Sequence, residues 1–276
     1  MRITTCCVLV LLGIGLNCLS QSSKIDGQAE NLMRLWYPQP ANGWIAALPV
    51  GNGRLGAMVF GGVERELIPL NEDSFWSGEP GNNVLSEVEP YLQEIRGLIY
   101  DGKYQEAQKL ASQYLPNLTP PENGDNGKCY QPKGTHIIDF PGINRFDNYH
   151  RSLDISRAVS TVRFTAKNVN YKRKVLSSFT DNVLVVHLSA DKAGSIHFSL
   201  KMEGQLLHTV KTEKELLLAQ GKGGDFEGKK GKVTATTLIK PKLKGGELIS
   251  NDSTLSIKGA DEVTLYISIS TKFNSY

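Results

Sequence analysis

From Gly134 onward, the sequence consists of short runs in which apolar or β-branched residues alternate with polar ones. Residues 171–178, 183–188 and 263–270 show the pattern most clearly, and Gly, Asn, Asp and Lys fill the short intervals between such runs. An alternation with a period of two buries one face of a strand, and these intervals leave no room for the helix that a parallel connection requires. The pattern therefore predicts a mostly β chain folded as a large antiparallel β-sandwich.

One segment, residues 86–115, has the pattern of helices instead. Its first part carries apolar residues at helical spacing after a capping Ser86, and a second helix is predicted from Tyr104 to Tyr114. The stretch that follows, residues 117–133, is rich in Pro, Gly and Asn and is predicted to be a long surface loop. We therefore expect a short helical hairpin inserted into the sandwich.

The N-terminal segment has the form of an export signal. Arg2 precedes an apolar run at residues 8–16, which is shorter than the roughly 20 residues that span a bilayer. We expect residues 1–20 to be a signal peptide that is removed. A retained membrane anchor would need a longer apolar run, and the residues before Cys18 are a poor site for lipid attachment, so we favour cleavage over both.

Cleavage would leave residues 21–31 as a flexible lead and residues 32–276 as one domain with no membrane attachment. The domain would be exported to the periplasm or outside the cell. Cys129 is then the single cysteine of the mature chain, because the other three lie in the signal. An internal disulfide is therefore impossible, and the fold depends on burial of apolar surface.

The charge balance argues against nucleic acid as a partner. Lys and Arg number 31 against 28 Asp and Glu, and the densest basic stretch, residues 222–244, is interrupted by glycines and lacks interleaved aromatic residues that could stack on bases. We predict that this stretch is a solvated hairpin loop.

The sequence gives no sign of a metal site or a cofactor. The five histidines are scattered over predicted strands without metal-ligand spacing, and Cys129 has no second thiol in the mature chain. A glycine-rich run at residues 51–53 leads into a strand rather than a helix, so it lacks the helix N-terminus that holds phosphate.

The densest motif is LPVGNGRLGAMVFGGVERELIPLNEDSFWSGEP, residues 48–80. Within it, residues 55–60 and 66–70 flank Gly61-Gly62 as two strands flank a tight turn. The motif closely resembles the opening of family 95 glycoside hydrolases, the α-L-fucosidase group. Weaker similarity continues through the helical pair, Tyr130-Gln131-Pro132-Lys133-Gly134 and residues 149–154 to the end of the chain.

This resemblance implies the N-terminal domain of such an enzyme, a β-sandwich of the super-sandwich type. In the family, the sandwich is followed by an (α/α)6 barrel that hydrolyses terminal α-L-fucosides of a fucosylated glycan with inversion. The family's catalytic residues lie in that barrel, and no segment of this sequence resembles the barrel. The resemblance thus implies no catalytic residue in this chain and no hydrolysis by the chain alone.

The candidates for a substrate-proximal role are Asn71, Glu72 and Trp76. Glu72 and Asp73 are adjacent, so on a strand they would point to opposite faces and could not flank one glycosidic bond. Two interpretations remain for this loop. It either completes a turn, with its acids paired to Arg54 or Arg65 and Trp76 packed beneath, or it faces the barrel and helps to bind the sugar.

An alternative from another functional class is a free-standing carbohydrate-binding or interaction module without hydrolytic activity. The two functions predict different surfaces. A supporting domain should expose a large apolar patch where the barrel docks, whereas an independent module should be polar all round with one aromatic platform.

Overall fold

The computed structural model describes residues 33–79, 89–114, 129–226 and 230–273. Their strands form two antiparallel sheets that pack face to face, which confirms the predicted mostly β sandwich. The predicted signal peptide and flexible lead lie outside the described residues. Neither helix in the described segments is long and apolar enough to cross a membrane.

The larger sheet has nine strands in the described residues. They are β1 (Arg34–Tyr37), β6 (Asp147–Asp154), β7 (Val159–Ala166), β8 (Val169–Ser178), β9 (Val183–Ala190), β11 (Leu207–Glu213), β12 (Leu216–Lys222), β13 (Thr234–Lys244) and β16 (Glu262–Thr271). Their order across the sheet is β1-β6-β7-β8-β9-β16-β13-β12-β11, so the C-terminal strand lies in the middle of the sheet.

The second sheet has seven strands in the same part of the chain. They are β2 (Leu48–Gly51), β3 (Leu55–Val59), β4 (Arg65–Glu72), β5 (Gly134–Asp139), β10 (Ile196–Glu203), β14 (Glu247–Asn251) and β15 (Thr254–Ala260). Their order is β14-β15-β10-β5-β4-β3-β2. A 3-10 helix, Trp44–Ala46, precedes β2.

The core forms from the alternating apolar positions of both sheets. In β16, Val263, Leu265, Ile267 and Ile269 are buried while the residues between them are half-buried or exposed. Strands of both sheets contribute side chains to one cluster of buried apolar residues. The period of two in the sequence therefore sets which face of each strand is buried.

The predicted hairpin around Gly61-Gly62 is confirmed, because β3 and β4 pair antiparallel with Leu55 opposite Glu72. A side chain on Gly61, which has a φ of 77°, would meet the Tyr149 hydroxyl at 2.4 Å. That hydroxyl donates a 2.6 Å hydrogen bond to the Gly61 carbonyl. The turn thus lies tightly against β6, which only a glycine permits.

The helical hairpin is also present. Helix α1 covers Glu89–Tyr100 and helix α2 covers Tyr104–Tyr114, the latter with the predicted limits. The rings of Tyr91 and Tyr114 stack at 3.5 Å between centroids and join the two helices. The predicted capping residue of α1 and most of the predicted loop at residues 117–133 lie outside the described residues.

The prediction for the basic stretch at residues 222–244 is partly wrong. Residues 234–244 form β13, a strand paired along its length with β16 on one side and with β12 over residues 234–239 on the other. Alternation of Lys240, Lys242 and Lys244 with Pro241 and Leu243 is a strand pattern that was hidden by the density of charge. Strands β2, β6, β11 and β14 were not predicted either. Neither β11 nor β14 contains a buried residue, and the buried residues of β6 are consecutive rather than alternating.

Candidate functional site

The predicted site begins where β4 ends. Glu72 is the last residue of β4, and residues 73–79 then cross the end of the sandwich. Glu72 is fully buried, whereas the next residue, Asp73, is exposed. The two carboxylates therefore occupy different environments.

The Glu72 carboxylate holds the loop in place. Its Oε1 accepts a 2.9 Å hydrogen bond from Arg54 Nε. Its Oε2 accepts hydrogen bonds from the Ser74 amide at 2.9 Å and the Ser74 hydroxyl at 2.8 Å. Of the two predicted arginine partners, the structure selects Arg54, while Arg65 forms its salt bridge with Asp139. Both carboxylate oxygens of Glu72 are thus hydrogen-bonded within the protein, to Arg54 and Ser74.

Trp76 lies on the surface rather than beneath the loop, with 36% of its area exposed. Its indole Nε1 donates a 2.8 Å hydrogen bond to the Asp73 carbonyl oxygen. Its ring lies 5.3 Å from that of Tyr130, at an interplanar angle of 60°, and the two residues form an isolated β-bridge. The tryptophan is therefore held at both its backbone and its ring.

Tyr130 connects this aromatic pair to Asn71. Partial burial raises the pKa of the Tyr130 phenol, an effect opposed by its hydrogen bond with Asn71 and reinforced by the nearby carboxylates of Asp73 and Glu72. The phenol therefore remains a neutral hydrogen-bonding group at ordinary pH. Asn71, Trp76 and Tyr130 together form one face with aromatic rings and polar groups, which we call the aromatic site.

Backbone hydrogen bonds join three distant segments beneath the aromatic site. The Gln131 amide donates to the Phe75 carbonyl at 3.0 Å, and the Ser77 amide donates to the Cys129 carbonyl at 3.0 Å. On the other side, the Gly78 amide donates to the Gly224 carbonyl at 2.9 Å. The site therefore requires the loop before β13 as well as the two segments that the sequence singled out.

Gly223 permits this approach. A Cβ on this residue would lie 2.4 Å from the Trp76 carbonyl oxygen. Gly224 is also bound by a side chain, because its amide donates a 2.8 Å hydrogen bond to Gln131 Oε1. The glycine-rich run at residues 221–224 was visible in the sequence, but its contact with the loop that carries Trp76 was not.

Lys133 lies below the site and is almost fully buried. Its ammonium lies 5.7 Å from the centroid of the Phe75 ring and has no hydrogen-bond partner among the described residues. Burial lowers the pKa of Lys133 to about 8. Burial of this ammonium without a hydrogen-bond acceptor is energetically unfavourable, and the residue lies in the part of the scaffold that supports the loop.

The Glu72 carboxylate is held by hydrogen bonds from within the protein. A buried carboxylate that accepts three hydrogen bonds is poorly placed to protonate a glycosidic oxygen. In the described segments, no group of three or more His, Cys, Asp or Glu side chains is placed to share a metal ion.

The family model described as glycosyl hydrolase family 65, N-terminal domain, matches residues 35–276. The chain therefore belongs to this family of glycoside hydrolase N-terminal domains. This match covers all but the start of the domain predicted from the sequence.

Curated relatives carry α-fucosidase names, in agreement with the resemblance seen in residues 48–80. Alpha-L-fucosidase 2 of Arabidopsis thaliana is 29% identical over 75% of this chain and 25% of its own length. Proteins named "Probable alpha-fucosidase A" are 32% identical over 58% of this chain and 20% of the relative in Aspergillus niger, and 23% identical over 83% and 31% in Aspergillus oryzae. The matches thus span about a fifth to a third of the length of these relatives.

Proposed function

We propose that this chain is the N-terminal supporting domain of an exported glycoside hydrolase that removes terminal α-L-fucosyl residues with inversion. Hydrolysis would be carried out by an (α/α)6 barrel of the same polypeptide, as the family resemblance implies. The observation that carries this proposal is the combination of an N-terminal-domain match over residues 35–276 with relatives named α-fucosidases that are three to five times longer than the matched region.

The chemistry of the aromatic site supports a non-catalytic role. Inverting hydrolysis needs an acid and a base about 6.5–9.5 Å apart with a water between them. Glu72 is buried and bound by Arg54 and Ser74, so it cannot form one half of such a pair. Catalysis by a separate domain agrees with this arrangement.

An exposed apolar surface supports docking of that domain. It lies around the edge strand β1 and the 3-10 helix, and we call it the β1-edge patch. Trp36 is 60% exposed, Trp44 58% and Ile45 98%, and Met33 and Leu35 are also exposed. Large exposed apolar side chains of this kind mark interaction surfaces, and the patch matches the surface expected of a supporting domain.

The aromatic site would act at the glycan. An exposed tryptophan provides an apolar face for a sugar ring, while Asn71 and Tyr130 provide polar groups for its hydroxyls. We propose that this site forms part of the wall of the glycan-binding cleft when the barrel is docked. Asn71, Glu72 and Trp76 would then have distinct roles, since Asn71 and Trp76 contact sugar and Glu72 holds the loop.

The direct test is hydrolysis of a chromogenic α-L-fucoside. The purified chain should release no product, and the separately expressed remainder of a fucosidase relative should gain activity when this chain is added. Release by the chain alone would place catalysis in this domain and refute the proposal. An unchanged rate in the mixture, with both parts folded, would refute the supporting role.

Two tryptophan variants separate docking from glycan contact. Trp44→Ala should weaken association of the chain with the catalytic part by at least about tenfold, because a large apolar anchor is removed from the β1-edge patch. Trp76→Ala should leave association unchanged and lower kcat/KM of the mixture roughly tenfold, as expected for loss of one stacking contact. Association would be measured by calorimetry and turnover by initial rates.

The opposite pattern would contradict this division of roles. If Trp76→Ala weakened association and Trp44→Ala did not, the aromatic site would be part of the domain interface. Circular dichroism melts of both variants provide the folding control, since both side chains are exposed.

The second candidate function, a free-standing carbohydrate-binding module, is favoured by one observation. Trp76 and Tyr130 form an aromatic pair at the surface, and a hydrogen bond to the Asp73 carbonyl oxygen orients the indole. This function predicts that the chain alone binds fucosylated glycan and that Trp76→Ala abolishes binding. A supporting domain predicts measurable glycan contact only after the catalytic part is added.

A further inference from the structure

The outer surface of the nine-stranded sheet carries a group of basic side chains. They are Arg163, Lys172, Lys174, Lys240 and Lys242, which we call the cationic face. Their neighbours along the strands, such as Val162, Val175 and Ile239, are buried in the core. Because side chains alternate across a strand, the five cations must point away from the core.

Strand pairing brings these cations together from β7, β8 and β13. Arg163 lies directly opposite Lys172 in the register of β7 and β8. Lys174 begins a row that continues through His187 of β9 and Thr264 of β16 to Lys242 of β13. Side chains directly opposite each other across a strand pair lie about 5 Å apart at Cβ, so Arg163 and Lys172 are close neighbours. Lys174 and Lys242 share a row but are three strand spacings apart, about 14 Å.

These cations have no acidic partners in the described part of the chain. None of the five takes part in a salt bridge there. The nearby acid Glu262 is already bound by Lys244 at 2.9 Å and lies 3.8 Å from His187. A second acid, Asp191, lines the groove with Arg163 and Lys172. The five cations therefore outnumber the two nearby acids, and the face keeps a net positive charge.

Neighbouring cations add to the effect of burial on two pKa values of this face. The pKa of Lys172 is lowered, first by partial burial and then by Lys174 and Arg163. The pKa of His150 is lowered by burial and then by Arg163 and Arg34. Like charges placed opposite each other destabilise a sheet, so an anion that binds here would relieve repulsion in addition to making its own contacts.

A groove of about 520 Å³ opens at one end of the cationic face, where β7, β8 and β9 meet their turns. Arg163 and Lys172 line it together with polar side chains of three strands. Thr165 Oγ1 donates a 2.7 Å hydrogen bond to Asn170 Oδ1, and Asn170 Nδ2 donates a 2.6 Å bond to Asp191 Oδ2. The groove therefore combines two cations and one carboxylate, that of Asp191, with hydroxyl and amide groups of fixed orientation and with the aromatic residues Phe164 and Tyr171.

We propose that the cationic face binds an acidic polysaccharide, with sugar units in the groove and their anionic substituents on Arg163, Lys172 and Lys174. Carboxylate and sulfate groups both suit guanidinium and ammonium donors. The hydroxyl and amide groups of the groove suit sugar hydroxyls. The two aromatic residues of the groove, Phe164 and Tyr171, stack on each other and pack in or against the core, which disfavours stacking of a nucleic-acid base on them. This binding goes beyond fucoside hydrolysis and does not depend on it.

The test is binding of the purified chain to matched polymers, followed by calorimetry at low and moderate salt. Polygalacturonate presents carboxylates, dextran sulfate presents sulfates, and unmodified dextran presents neither. We expect binding to one or both acidic polymers, none to dextran, and affinity that falls as salt is raised. The preferred acidic polymer identifies the source of the anion.

Glutamine variants connect the binding to the face. Replacing Arg163, Lys172 and Lys174 together with glutamine should weaken binding at least tenfold. The matched control replaces Lys109, Lys201 and Lys258 with glutamine. These replacements remove the same charge from helix α2 and from the seven-stranded sheet, and they should change affinity less than threefold. If the triple variant of the cationic face unfolds at a lower temperature than the wild type, the affinities of the single variants Lys174→Gln and Lys242→Gln are compared with that of the wild type instead.

Three results would overturn the proposal. They are absence of binding to both acidic polymers, equal losses in the two triple variants, and equally tight binding of a single-stranded oligonucleotide of the same total charge. The last result would show attraction to any polyanion rather than recognition of a saccharide.

Discussion

Replacing Glu66 with alanine is expected to destabilise the folded chain by about 3–5 kcal/mol, the usual cost of leaving one member of a buried ion pair without its partner. Glu66 is 0% exposed and Arg173 is 2% exposed, and they form a salt bridge between the two sheets. Burial lowers the pKa of Arg173 without removing its charge at neutral pH. The loss would be measured by urea unfolding.

Glu66 also holds the Gly61-Gly62 turn. Its Oε1 accepts hydrogen bonds from the amides of Phe60 at 3.0 Å and Gly61 at 2.9 Å. Arg173 in turn donates to the Gly62 carbonyl oxygen at 3.1 Å. Loss of the carboxylate therefore removes the acceptor of the buried Gly61 amide and leaves the buried Arg173 guanidinium with the Gly62 carbonyl oxygen but without its counter-ion.

The adjacent residue provides the control. Arg65 forms a salt bridge with Asp139, but both side chains are partly exposed. Arg65→Ala should leave the unfolding midpoint close to that of the wild type, because water screens and replaces such a pair. Equal effects of the Glu66 and Arg65 variants would mean that burial does not set the strength of the Glu66 pair.

The second large effect is a loss of stability in acid that depends on His136. This side chain is fully buried in β5, opposite Ile68 and Met202, and neither ring nitrogen has a hydrogen-bond partner among the described residues. Burial lowers the pKa of His136 from 6.5 to about 4. The ring is therefore neutral in the folded chain at pH values where it is already charged in the unfolded chain.

The direction of the effect follows from proton binding. Below pH 6.5 the unfolded chain takes up a proton that the folded chain does not bind until about pH 4, so folding stability falls as the pH is lowered through this window. The shift corresponds to a loss of about 3 kcal/mol once the pH reaches 4. Above pH 6.5 the stability from this group is fully present.

His136→Met tests this expectation, because methionine fills similar space without a titrating group. Between about pH 7.5 and about pH 4.5, the free energy of unfolding of the variant should fall by about 2–3 kcal/mol less than that of the wild type. Urea unfolding at each pH measures this difference. His208→Met is the control at an exposed position of β11 and should follow the wild-type curve. Parallel curves for wild type and His136→Met would contradict the assigned role.

Much of the fold could be predicted from local pattern. Strands β8, β9 and β16 and helix α2 were predicted almost to their limits, because their apolar residues recur at the period of the element that they form. Strands β11 and β14 were missed because they lie at the edges of the two sheets and bury little apolar surface. A periodic signal exists only where one face of a strand is buried.

The conformation of the candidate loop could be predicted only in part. The loop with Asn71, Glu72 and Trp76 was identified, and one of the two suggested arginine partners of Glu72 is present. Trp76 was expected beneath the loop in one interpretation, but it lies on the surface against Tyr130, a residue 54 positions away in the sequence. The roles of these residues in glycan binding remain predictions.

The sequence by itself determined which residues of each strand face the core and where the chain turns, because a period of two and the special φ of glycine act over a few residues. Only the tertiary structure decided which strands become neighbours. Backbone hydrogen bonds are the same for every pair of strands, so the position of β16 between β9 and β13 cannot be read from either strand. This order of neighbours aligns Lys174 with Lys242, and the packing of the two sheets buries Glu66 against Arg173. Both charged groups thus have an environment that no local pattern contains.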